Sequence, residues 1–176
     1  MAKTSGGVRT LKTGSREYNN RLKEVEELRA SGKYSSVVFS EKGGGYVAIE
    51  KNQEERYSDE LKAAHILADN GYKIKLLTSK GKPNGEKSPE GYLFQKLYDQ
   101  KTPKGTGEPN KTIKNALSNA KKQKVKVVVL YSKNHIFSKE DVARAIRRFE
   151  GTSSYRFDDI LVVADNGHIH RHKHNK

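Results

Sequence analysis

Val125 to Tyr131 reads VKVVVLY, and this segment limits what the chain can become more than any other. β-Branched residues run through it with a single polar break, a composition that suits a central strand covered on both faces. The flanking segments supply cover. KTIKNALSNAKKQ, immediately before, places Ile113, Ala116, Leu117 and Ala120 along one face of a helix. Just downstream, Ser138 and Asp141 spell a capping box that opens a second helix, KEDVARAIRRF. The pattern predicts an α/β domain: a mixed central sheet flanked by helices on both faces.

The same alternation extends through the chain. SREYNNRLKEVEELRA, Ser15 to Ala30, carries Tyr18, Leu22, Val25 and Leu28 at helical spacing, with Gly32 just past its end. YSSVVFS (Tyr34 to Ser40) and GYVAIE (Gly45 to Glu50) are predicted as a hairpin joined by a loop containing Gly43 and Gly44. SDELKAAHILADNG predicts a helix stopped by Gly71, with His65 packed toward the sheet, and YKIKLLT predicts the strand that follows. DDILVVADNGHIHRH reads as a last hairpin turning at Asn166-Gly167. The opening MAKTSGGVRTLKTG is small, basic and Gly-rich, the composition of a mobile arm. The plan is therefore an arm over 1–14, a helix and hairpin over 15–50, and a core over 51–176 that forms one domain with 15–50.

Charge narrows the choice of partner. Lys and Arg number 35 against 21 Asp and Glu, a formal net charge of +14. That excess exceeds what solubility requires and points to an anionic partner, nucleic acid first. No apolar run approaches the roughly 18 residues of a spanning helix, and no signal-peptide apolar region follows the N-terminus. The absence of cysteine excludes disulfides, thiolate metal sites and a cysteine nucleophile.

The candidate chemistry lies in SPEGYLFQKLYDQKTP, Ser88 to Pro103, between two breaker-rich, lysine-bearing loops. Asp99 and Lys101 are two residues apart, so on a strand both side chains leave the same face and can address one phosphate. Glu90, one strand earlier, can join Asp99 in offering carboxylate oxygens to a hard divalent cation such as Mg²⁺. Direct opposition of the two acids would need a turn at Phe94-Gln95, a pair without the Gly or Asn of tight hairpins, so a longer loop and a looser convergence are expected. Taken singly, each of these charges is an ordinary solvated side chain.

As an ordered set the motifs say more. GGYVAIE, then DELKAAHILADNGYKIKLL, SPE, YDQK and TIKNALSNAKKQKVKVVVL, from about Gly45 to Arg171, resemble the C-terminal tRNase domain of contact-dependent growth inhibition (CdiA-type) toxins. That domain is a branch of the PD-(D/E)xK nuclease superfamily. The chain departs from its pattern in having Glu90 where Asp is usual and Asp99 where Glu is commoner. The resemblance implies a nuclease-like core over 51–176 and a metal-dependent ribonuclease with Glu90, Asp99 and Lys101 at its centre. It further implies Glu60 as an additional catalytic acid and metal ligand, and Gln123 as a contact to substrate or to the lysine. The substrate so implied is tRNA, the site of action cytoplasmic, and the inhibiting partner a small acidic immunity protein. DNA cleavage by the same residues, or a basic binding module without catalysis, is the alternative. Delivery, and whether the chain is a toxin, a mobile-element protein or an excised domain, stays open.

Lysines surround these motifs. Lys87, Lys104, Lys111 and Lys122 are the candidate phosphate contacts, with Arg144, Arg147 and Arg148 on the last helix and Tyr92 or Tyr98 available to stack on a base. His168, His170, His172 and His174 alternate, so a strand would set them on one face where a transition metal could bind. Their place at the chain end weighs against a built site.

Overall fold

The computed structural model describes residues 10–51, 58–77, 91–103, 108–132 and 137–173. Its helices begin where the sequence supplies caps. The Ser15 hydroxyl accepts from the Tyr18 N–H at 3.2 Å to open α1 (Arg16–Ala30). Ser138 and Asp141 exchange both bonds of a capping box at the start of α4 (Lys139–Thr152). Pro109, placed where a missing N–H costs nothing, begins α3 (Pro109–Lys121). The remaining helix is α2 (Ser58–Asp69).

Eight strands pair in sequence order into one mixed sheet. They are β1 (Tyr34–Phe39), β2 (Tyr46–Glu50), β3 (Lys73–Leu76), β4 (Gly91–Leu93), β5 (Lys96–Lys101), β6 (Val127–Ser132), β7 (Asp159–Ala164) and β8 (Ile169–Lys173). Ladders β2–β3, β5–β6 and β6–β7 are parallel; β1–β2, β3–β4, β4–β5 and β7–β8 are antiparallel. The predicted N-terminal hairpin is thus continuous with the core sheet through β2–β3.

Period-two alternation divides the sheet into two apolar faces. Val127, Val129 and Tyr131 of β6 pack with Ala63, Ala64 and Leu67 of α2. Val128 and Leu130 face the other way, onto Ile113 and Leu117 of α3 and Val142, Ala145 and Phe149 of α4. All six residues of β6 are buried, as its composition demanded. α2 touches β2 and β3 but also β7, so the sheet curls about this helix and encloses it on the concave side. Truncating a fully buried residue such as Leu117 to Ala would cost about 2–5 kcal/mol.

Three expectations change. Residues 10–14 are not part of a mobile arm: Leu11 is buried, and its N–H donates to the Gly43 carbonyl at 3.0 Å. The glycine run beside it serves close approach as well as turning. A Cβ on Gly45 would collide with the Ala68 and Tyr72 carbonyls, which admits the loop against the end of α2. His65 is exposed on α2 instead of packing on the sheet. Third, the β4–β5 turn is the two-residue Phe94-Gln95, with Gly91↔Tyr98 and Leu93↔Lys96 in register. Phe94 takes φ +55, a conformation its side chain disfavours. Tertiary contacts hold it there, through its N–H to the Lys73 carbonyl at 2.8 Å and its ring beside Tyr72, centroids 5.7 Å apart.

Candidate active site

β5 is the strand on which the predicted chemistry meets the geometry. Tyr98 and Gln100 point to the α2 side, while Leu97 joins the cluster under α3 and α4. Asp99 and Lys101 therefore share the α3/α4 face, aligned with Val128 and Leu130 of β6. The Lys101 ammonium lies 2.9 Å from Asp99 Oδ2. Asp99 is 4% exposed, so a carboxylate has been drawn out of water beside this strand-mate cation. The lysine is more open, its side chain 23% exposed. An ion pair two residues apart on one strand links no two elements of the fold.

Gln100, between them, was not singled out by sequence reasoning, although a polar residue alternating with Asp99 and Lys101 was the available signal. It is buried, and its Nε2 donates to the Asp59 carbonyl at 3.3 Å. This bond ties the first turn of α2, which carries Glu60, to β5. Glu60 stands on the side of the sheet to which Gln100 points, not Asp99. Glu90, Lys87 and Lys104 lie outside the described residues.

The substrate-binding candidates that are described separate by position. Lys111 is exposed in the first turn of α3, at the sheet edge where β5 ends in Lys101. Lys122 is exposed at the other end of the helix, where Gln123 is half-buried with its N–H on the Ala120 carbonyl. Eleven residues of helix separate the two lysines, about 16 Å. Arg144, Arg147 and Arg148 are exposed on α4, which packs against α3. Tyr98 is fully buried in the core and cannot stack on a base; Tyr92 is half-buried.

As to metals, the Asp99 carboxylate is the hard oxygen donor a divalent cation of the Mg²⁺ class takes. Among the described residues no group of three or more His, Cys, Asp or Glu side chains could hold an ion, so further oxygens would have to come from beyond them. The histidine expectation fares differently. His168 sits in the β7–β8 turn, His170 and His172 lie edge-to-face at 4.4 Å, and His174 is outside the described residues.

The fold has a counterpart among solved structures. It is similar to a chain of the CdiA-CT/CdiI toxin and immunity complex from Burkholderia pseudomallei, with a TM-score of 0.51 and 17% identity. The similarity covers 73% of this chain and 98% of that one. No protein-family model matches the sequence, and no curated protein does.

Proposed function

We propose that the chain is a toxin-type nuclease domain that cleaves RNA phosphodiesters in a metal-dependent reaction, with tRNA as its substrate class. The observation that carries this reading is the Asp99–Lys101 pair: a buried carboxylate and a half-open ammonium 2.9 Å apart on one face of one strand. The tight β4–β5 turn at Phe94-Gln95 is the one that direct opposition of the two acids requires. The shared fold with a chain of a toxin and immunity complex agrees with this reading, and an acidic immunity-type partner would complement the +14 charge.

The proposed division of labour follows from chemistry. A divalent cation on Asp99 and Glu90 would supply an acidified water and charge for the phosphoryl oxygens, while Glu60, carried by α2 on the other side of the sheet, stays outside that donor set. Lys101 holds its ammonium where charge develops on the phosphorane and can orient the attacking water. Gln100, through Asp59, fixes the turn bearing Glu60. Lys111 and the exposed arginines of α4, on the same side of the sheet as Asp99, grip phosphates without reading bases, with Lys87, Lys104, Lys122 and Gln123 extending the surface.

Incubating the purified chain with a mixture of tRNA and supercoiled plasmid, with Mg²⁺, Mn²⁺ or EDTA, tests the reading directly. Discrete tRNA fragments with intact plasmid, lost in EDTA and in Asp99→Ala, are expected. Nicked plasmid with intact tRNA would turn the assignment to DNA. Retention of both polymers in every metal would leave a basic binding module.

A further inference from the structure

A cavity lies on the same face of the sheet as the Asp99–Lys101 pair. It has a volume of about 330 Å³ and opens where β6 and β7 end and α4 begins. Phe137, Val142 and Val162 form its walls. Ser132, Asn166, His168 and His170 give it a polar margin.

Three features make this more than a gap in packing. Ser132, the last residue of β6, is 3% exposed, yet its Oγ has no hydrogen-bond partner among the described residues. A hydroxyl buried without a partner is costly, and a ligand atom in the cavity would remove that cost. The cavity also lies at the carboxyl ends of parallel strands, beside Ser138, the N-cap of the 14-residue α4. Open α/β sheets bind ligands at this edge. Finally, Ser132 shares a face with Lys101. Lys101 is aligned with Leu130, so Ser132 is one strand across and two residues further on, an offset of about 8 Å between Cα positions. A single nucleotide spans that interval.

The lining selects the ligand class. One aromatic ring and aliphatic walls favour a flat, weakly polar group, and hydroxyl, imidazole and amide groups at the margin suit its hydrogen-bonding edge. Asn166 already receives the His168 N–H on its side-chain oxygen at 3.0 Å, which leaves its amide hydrogens to donate. Among the described residues that line the cavity there is no lysine or arginine to meet a phosphate.

We propose that this cavity is a nucleobase subsite, receiving one unpaired base of the RNA strand whose neighbouring phosphate lies at Asp99 and Lys101. The assignment of the strand rests on the nuclease reading above; binding of the base does not. The base would be extruded from the strand into the cavity, with Phe137 against it and Ser132 Oγ on its edge.

The four nucleoside 5′-monophosphates, with ribose 5-phosphate and inorganic phosphate as controls, can be titrated into the full chain without divalent metal and followed by backbone NMR shifts. At least one monophosphate should shift Ser132, Val142, Val162 and Ile169, and both controls should leave them in place. Ser132→Ala should weaken that binding about five- to tenfold, the loss of one neutral hydrogen bond, with an unchanged fold because its Oγ has no partner among the described residues. Ala164→Leu, which fills the cavity from β7, should abolish it. Silence of all four monophosphates at millimolar concentration, equal shifts with ribose 5-phosphate, or undiminished affinity in Ser132→Ala would each overturn the subsite. Binding in a chain that cuts no RNA would keep the subsite and remove the nuclease reading. Cleavage by a chain that binds no monophosphate would do the reverse.

Discussion

Two sets of ion pairs, at different places on the same sheet, are built on opposite principles. At the amino ends of β3 and β7 the charges join elements. Glu24 of α1 accepts from the Tyr46 hydroxyl at 2.9 Å and from Lys73 at 3.1 Å, fastening α1 to β2 and β3. Arg171 of β8 donates to Asp159 of β7 at 2.7 Å. Towards the carboxyl end of β5, Lys101 and Asp99 are bound to each other along one strand. The first set fastens separate elements to one another, whereas the Asp99–Lys101 pair itself lies within a single strand.

Titration separates the regions further. Burial alone would raise the Glu24 carboxyl, but hydrogen bonds from Tyr46 and Lys73, with the charges of Lys73 and Arg21, bring it below its ordinary value. The Tyr46 hydroxyl is raised by burial and by its bond to Glu24. Tyr72 is pushed up to about 12, chiefly by burial, with Asp159 adding to the rise and Arg171 opposing it.

The sharpest way to break this contrast is catalytic. Asp99→Asn and Lys101→Met should each lower RNA cleavage by at least about 100-fold in a fixed-time gel assay, the effect of losing charge stabilisation at the reacting centre. Asp159→Asn should stay within about threefold of wild type. Equal losses at both places would end the distinction. Stability should show the inverse order. Urea denaturation of Glu24→Ala should reveal a loss of about 2 kcal/mol, because two donors lose a charged acceptor. Asp99→Asn should lie within about 1 kcal/mol of wild type or above it, since it removes a desolvated charge and the half-open Lys101 can turn to water.

Acid sharpens the comparison on a smaller scale. A depressed folded-state carboxyl contributes stability that is fully present above its unfolded value and is lost as pH falls through the folded one. The gap in melting temperature between wild type and Glu24→Gln should therefore be widest near neutrality and close below the ordinary carboxylate value of 4.5. A gap that widened in acid would contradict the staple. The smallest effect belongs to neither region: Lys124 holds φ +57, and Lys124→Gly should raise stability by about 1 kcal/mol.

How much of this was written in the sequence depends on how local the physics is. Ser15, Pro109 and the Ser138–Asp141 box mark helix starts because a cap is satisfied within one turn of chain. VKVVVLY fixed the centre of the sheet because a strand without a polar face has to be covered on both sides. The spacing of Asp99 and Lys101 placed both on one face for the same reason, since alternation is a property of the strand alone. Tertiary structure decided what no local rule reaches. Phe94-Gln95 turns tightly because Lys73 and Tyr72 hold Phe94 at a positive φ, and that turn sets the register of β4 against β5. Gly91 is required beside that turn because a Cβ would strike the Lys75 carbonyl of the neighbouring strand. The curl of the sheet about α2, the tether from Gln100 to Asp59 and the cavity beneath Ser132 likewise arise from residues distant in the chain. Period and capping act over a few residues and can be read along the chain; register, curvature and enclosed space exist only once separate segments have met.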